Sequence, residues 1–211
     1  MRRVAVLYAT REGQTRRIAQ HVATALRTHG CVVDVIEVNR ESPVDFDLTR
    51  YAGAVVAASI HIGRHEPELV KYVKRNRATL ARLPTLFLSV SLSEAGAEDE
   101  HRTPRRRESA AANVDKMIGR FVRQTGWSPT LTHPVAGALL YRQYGTVVRA
   151  MMRFIATLVG ASTDTSRDHE YTDWQALESF VGEFATLMEK GHPDAEGGGM
   201  DHVQQLGAIR S

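Results

Sequence analysis

Apolar residues along this chain gather into short runs separated by longer stretches of helical periodicity, and the alternation predicts strands that take turns with helices. Val4 to Tyr8 is a continuous apolar run that suits a strand covered on both faces. Thr15 to His29 then carries Ile18, Val22, Ala25 and Leu26 at helical spacing, and Gly30 stands where a C-terminal cap is expected. Val32 to Val38 predicts a second strand, and the polar stretch from Asn39 to Ala52, with Pro43, predicts irregular structure. Ala54 to Ala58 predicts a third strand. Pro67 opens a helix whose Leu69, Val70, Val73 and Leu80 face inward, and Thr85 to Ser91 predicts a fourth strand.

The second half is less regular. Ser93 to Glu108 is polar and long for a strand-to-helix connection, so we expect a functional or disordered loop there. Thr103-Pro104 starts a helix with Val114, Met117, Ile118, Phe121 and Val122 as its inward stripe, stopped by Gly126. Thr130 to Leu139 predicts a fifth strand. The pattern Thr172-Asp173-Trp174-Gln175 reads as a capping box before a last helix carrying Leu177, Val181, Phe184 and Met188. From Gly191 onward, with Pro193 and Gly197 to Gly199, the chain reads as a mobile tail. The expected architecture is a doubly wound α/β sandwich whose five-stranded parallel sheet has the order 2-1-3-4-5. Such a sheet binds ligands beyond the strands' carboxyl ends, which gathers three loops: Thr10 to Thr15, Ser59 to His65, and Ser91 onward.

Composition narrows the picture. The 211 residues, 43% of them apolar, support one domain with a substantial core. A net charge of +3 is small, so any basic site is local and no nucleic acid is expected as partner. The single cysteine, Cys31, allows no intrachain disulfide and fits a reducing cytoplasm. Apolar runs are too short for a signal-peptide core or for the roughly 20 residues of a membrane span.

Three loops carry the candidate chemistry. Val6-Leu7-Tyr8-Ala9-Thr10-Arg11-Glu12-Gly13-Gln14-Thr15 ends a buried strand and enters a helix, which turns amide hydrogens and the positive end of the helix dipole towards an anion. No Walker lysine follows, and the glycines of a dinucleotide fingerprint are missing. His61 and His65 are spaced by four, but the spacing crosses Gly63 without a third ligand, so no metal is expected. Tyr141 to Val159 places Arg142, Arg149 and Arg153 within about 40° of one another on a helical wheel, opposite a broad apolar face. That pattern fits an interfacial helix on anionic lipid, and equally a helix packed on its own domain. Cys31 and Trp174 read as packing residues.

The first loop resembles the flavodoxin signature, an aromatic residue followed by x-Thr/Ser-x-x-Gly-x-Thr, with every specified position met. The resemblance implies a flavodoxin-like fold over residues 1–190, with insertions at about 93–108 and 141–160 and a tail at 191–211. It also implies an FMN phosphate held by Thr10, Arg11, Glu12, Gly13, Gln14 and Thr15. The second loop, Ser59, Ile60, His61, Ile62 and Gly63, would border the flavin ring, as would Ser89, Val90, Ser91 and Leu92.

Further segments carry a narrower resemblance over roughly residues 4 to 188: Ala58-Ser59-Ile60-His61, Ser89-Val90-Ser91-Leu92, Arg102-Thr103-Pro104, Ala136-Gly137-Ala138-Leu139, Thr163-Asp164-Thr165 and Tyr171-Thr172-Asp173-Trp174. Together they are similar to the flavodoxin-type, menaquinone-dependent protoporphyrinogen IX dehydrogenases of bacterial haem biosynthesis. This implies FMN-dependent oxidation of protoporphyrinogen IX, with electrons passed to menaquinone or ubiquinone. It also implies a cytoplasmic location with peripheral contact at the inner face of the cell membrane. Departures are the acidic, extended loop before Arg102, Ser91 where some relatives carry Asn, and the glycine-rich tail. His61 is the candidate proton acceptor. Positive charge from Arg64, His65, His101, Arg102 and Arg105 to Arg107 beside the flavin would raise its potential or pair with porphyrinogen carboxylates; a solvated helix start explains Arg105 to Arg107 as well. Arg102, Arg105, Arg142, Arg149 and Arg153 are thus the candidates for substrate or membrane contact. Competing readings are a soluble electron-transfer flavodoxin and an NAD(P)H:quinone reductase of the same fold.

Overall fold

A computed structural model describes residues 1–39, 46–139 and 169–190. The amphipathic segment 141–159 with Arg142, Arg149 and Arg153, the Thr163-Asp164-Thr165 motif and the tail from 191 lie outside the described residues.

Five parallel strands form the centre: β1 (Arg3–Ala9), β2 (Val32–Glu37), β3 (Gly53–His61), β5 (Thr85–Ser91) and β6 (Leu131–Ala136), in the order β2-β1-β3-β5-β6. This is the 2-1-3-4-5 arrangement expected. The continuous apolar runs have a simple cause: side chains alternate between two covered faces. Val4, Val6 and Tyr8 pack with helices α1 (Gln14–Thr28) and α5 (Trp174–Lys190), while Ala5, Leu7 and Ala9 pack with α2 (Pro67–Leu80) and α4 (Pro104–Thr125). Gly30 and Gly126 take positive φ just after α1 and α4, ending both helices as expected.

Three elements differ from the sequence reading. The stretch expected as a loop after β5 begins instead with helix α3 (Leu92–Glu98), started by the Ser91 hydroxyl, which accepts the Glu94 N–H at 3.1 Å. A small strand, β4 (Arg64–His65), folds back antiparallel on the end of β3. The predicted fifth strand is broken at Gly137: β6 stays in the sheet, whereas β7 (Ala138–Leu139) leaves it and pairs antiparallel with β8 (His169–Glu170). At the last helix the cap is Asp173, whose carboxylate accepts the Ala176 N–H at 2.9 Å. Thr172 donates its hydroxyl to the Ala136 carbonyl at 2.7 Å instead of closing a capping box.

Candidate functional site

The end of β1 and the start of α1 build the first wall of a cavity of about 430 Å³ at the carboxyl edge of the sheet. Thr10 Oγ1 accepts the Gly13 N–H at 2.9 Å, which closes a tight turn, and Gly13 has φ 88°, a conformation that favours glycine. Gly13 is also the N-cap of α1, and no side chain caps that end. The first-turn amides of Gln14, Thr15 and Arg16 therefore have no intrahelical acceptor, and no acidic residue stands in that turn to compete for them. Thr10, Glu12, Gln14 and Thr15 line the cavity.

The Gln14 side chain is fully engaged elsewhere. Its Nε2 donates to Glu170 at 2.7 Å and to Thr172 at 2.9 Å, and its Oε1 accepts from Arg17 at 3.0 Å. This ties β8 to the cradle and leaves the backbone N–H of Gln14 as its contribution to an anion. Arg11 turns away: its Nε lies 3.0 Å from the buried Glu66 carboxylate, in an acidic groove shared with Glu37 and Glu68.

The second loop is a tight hairpin. Ser59 donates to the Ala9 carbonyl at 3.3 Å, Ile60 pairs with His65 and His61 with Arg64, leaving Ile62 and Gly63 as the corner at φ 47° and 69°. The His61 Nε2 lies against the Glu12 carboxylate, so the two residues bridge the first and second loops within the cavity wall. His65, expected as a positive charge beside the flavin, points the other way. It is buried among Phe87 and Phe121, with its Nε2 3.0 Å from the Ser89 hydroxyl, and desolvation lowers its pKa to about 3. It is therefore neutral and supplies no field to the cavity. Ser89 lies under the site with it, while Val90, Ser91 and Leu92 line the cavity.

Arg102 before α4 and Arg105 and Arg107 in its first turn are also not at the cavity. Arg102 Nε bonds Asp99 at 3.2 Å beside Gly96, Arg105 is exposed on the first turn of α4, and Arg107 lines a separate groove with Glu94, Glu98 and His133. The cavity's cations among the described residues are Lys116 and Arg120, with Asn113 and Met117 beside them on α4. Arg120 Nη1 donates to the Gly63 carbonyl at 3.1 Å, fastening the hairpin to the helix. In the sequence these polar positions are indistinguishable from a solvated helix face. Among the described residues no cluster of His, Cys, Asp or Glu is arranged to hold a metal, and no helix is long and apolar enough to cross a membrane.

Comparison with known proteins agrees with this geometry. A family model described as a flavodoxin domain matches residues 5–166. The protoporphyrinogen IX dehydrogenase (quinone) of Escherichia coli strain K12 is 32% identical over 185 residues, covering 88% of this chain and 96% of that protein. The protein of the same name from Leishmania major is 31% identical over 183 residues, covering 86% of this chain and 74% of that one. Among solved structures, a short-chain flavodoxin associated with a bacterial microcompartment superposes with a TM-score of 0.51 at 14% identity, covering 89% of this chain and 99% of that one.

Proposed function

Because this chain belongs to the flavodoxin domain family, we propose that its cavity holds FMN and that it oxidises protoporphyrinogen IX to protoporphyrin IX with a quinone as electron acceptor. The observation that carries the reading is the uncapped start of α1 behind Gly13, which offers amide hydrogens and two threonine hydroxyls to a dianionic phosphate. The cavity volume lies within the range of about 300 to 1,000 Å³ common for small-molecule sites. The names of the two relatives at 31% and 32% identity support the substrate and the quinone.

Bound there, the flavin ring would supply two-electron acceptance and its return to a quinone, and the six electrons of the substrate call for three such rounds. The protein's own part is positioning and proton handling. Thr10, Thr15 and the first-turn amides fix the phosphate. The Glu12 carboxylate lies against His61 Nε2 and orients the ring, and His61 is the group that accepts a proton from the substrate. The His61–Arg64 hairpin, bolted down by Arg120, forms that side of the cavity's rim. Peripheral attachment to the inner face of the membrane belongs to the same proposal and is supported by the sequence pattern of residues 141–159.

The test is an anaerobic titration of the purified chain after its flavin spectrum is recorded. We expect reduction by protoporphyrinogen IX, reoxidation by menaquinone and no reduction by NADPH; reduction by NADPH alone overturns the assignment in favour of a nicotinamide-linked reductase. A chain that cycles through a stable one-electron form without porphyrinogen turnover is an electron carrier. In the same assay His61→Gln slows reduction by porphyrinogen about a hundredfold with unchanged flavin uptake. Equal rates remove His61 from proton transfer.

A further inference from the structure

The two ends of the cavity differ in chemistry. The α1 end offers amides and hydroxyls. The α4 end presents Asn113, Lys116 and Arg120 at spacings of three and four, which places them on one helix face. Neither cation forms an ion pair among the described residues. Arg120 uses one donor on the Gly63 carbonyl, and a guanidinium carries five.

At the rim stands Ile62. It is 80% exposed, lines the cavity and sits at φ 47° in a two-residue hairpin corner that suits asparagine or glycine. A β-branched, apolar residue in that conformation and in water breaks both local and burial preferences. Such exceptions gather where a ligand gives them a purpose. The hairpin that presents Ile62 is the same one that Arg120 fastens to α4, so the apolar lip and the cationic face form one unit.

We infer that the α4 end of the cavity is the seat of a large, apolar molecule bearing carboxylates: Lys116 and Arg120 bind the carboxylates and Ile62 covers the apolar face. The inference rests on the functional reading above and names the wall that recognises the substrate, since the porphyrinogen carries two propionates on an apolar macrocycle. A carboxylate held between a guanidinium and an ammonium gains charge-assisted hydrogen bonds that an ester cannot replace.

The experiment titrates the FMN-loaded full chain with protoporphyrin IX and with its dimethyl ester in the same detergent, following the porphyrin absorbance. The free acid binds about tenfold more tightly than the diester. Lys116→Gln and Arg120→Gln each reduce that preference at least threefold through the acid, with diester affinity moving less than twofold. Ile62→Asn, which suits the corner, weakens acid and diester alike. Equal affinity of the unaltered chain for acid and diester overturns the inference, as does a preference that survives in the Lys116→Gln/Arg120→Gln double variant. NADPH binding more tightly than the free acid overturns it too. Selective acid binding without porphyrinogen oxidation would sink the functional reading and leave the carboxylate wall standing; oxidation without acid preference would sink the wall alone.

Discussion

Gly13→Asp leaves the purified chain without FMN, its affinity lowered at least a hundredfold, or about 2.7 kcal/mol. Two effects act together. The new carboxylate stands at the N-cap of α1, which carries no side-chain cap, and takes up first-turn amides that a phosphate would otherwise engage. It also places a negative charge within a few ångströms of the dianion. Aspartate tolerates the left-handed region better than most residues, and a Cβ at Gly13 meets open space, so the fold survives. Relative to glycine a cap adds only a few tenths of a kcal/mol, and the left-handed φ of 88° costs on the order of 1 kcal/mol, so the apo variant melts slightly below the apo parent. Gly13→Asn, uncharged and of the same shape, loses only about tenfold. Quenching of FMN fluorescence measures all three proteins. Retention of FMN by Gly13→Asp within tenfold of the parent would show that the phosphate is anchored elsewhere.

Acid unfolds this protein earlier than its carboxylates alone would dictate. His65 has a folded-state pKa of about 3 and His133 of about 4, each lowered chiefly by desolvation; Asp173 opposes the shift at His133. Both values lie below the roughly 6.5 of an unfolded histidine. The unfolded chain thus binds protons that the folded chain refuses, and stability is full above about pH 6.5 and falls as pH drops towards 3. The loss is on the order of several kcal/mol, a large share of the roughly 5 to 15 kcal/mol that holds a domain together. Asp34, lowered from 3.8 chiefly by its hydrogen bond from Arg3, acts at the acid end of that window. Urea unfolding at pH 7.5, 6, 5 and 4 measures the slope. His65→Gln keeps an amide within reach of Ser89 and does not titrate, so its curve is flatter, although it starts lower for want of ring packing against Phe121. A parent whose urea midpoint is unchanged from pH 7.5 to 4 would contradict the neutral state of the buried His65 ring and the half-buried His133 ring.

What could be read from the sequence followed the range of the forces involved. Val4 to Tyr8 identified a strand because two covered faces demand an unbroken apolar run; the strand–helix alternation predicts a doubly wound sheet, and the 2-1-3-4-5 order is the flavodoxin-like choice among such sheets. The turn at Thr10 to Thr15 was equally legible, since its hydrogen bonds and dipole are local to six residues. Helix α3 was hidden because its seven residues are too short to show a period and its cap, Ser91, belongs to the preceding strand. The His61–Arg64 hairpin was hidden because Ile62-Gly63 is not a turn pair that β-corners advertise. His65 shows the limit most plainly: pairing opposite Ile60 turned it from the expected charged loop into an aromatic core. The wall of Lys116 and Arg120 exists through packing between residues more than fifty positions apart in the chain, and no window of sequence contains it.

The ribbon that pairs Leu139 with His169 has an architectural consequence. It brings the two ends of the intervening segment opposite each other on one rung, and Gln14 clamps the neighbouring rung through Glu170. The segment is thus a cassette plugged into a finished socket, and loop-closure entropy rises only slowly with the length of what is plugged in. Excising 140–168 and joining the rungs through Asn-Gly should yield a miniature that still turns yellow with FMN, separating the gripping of the nucleotide from whatever the cassette was acquired to do.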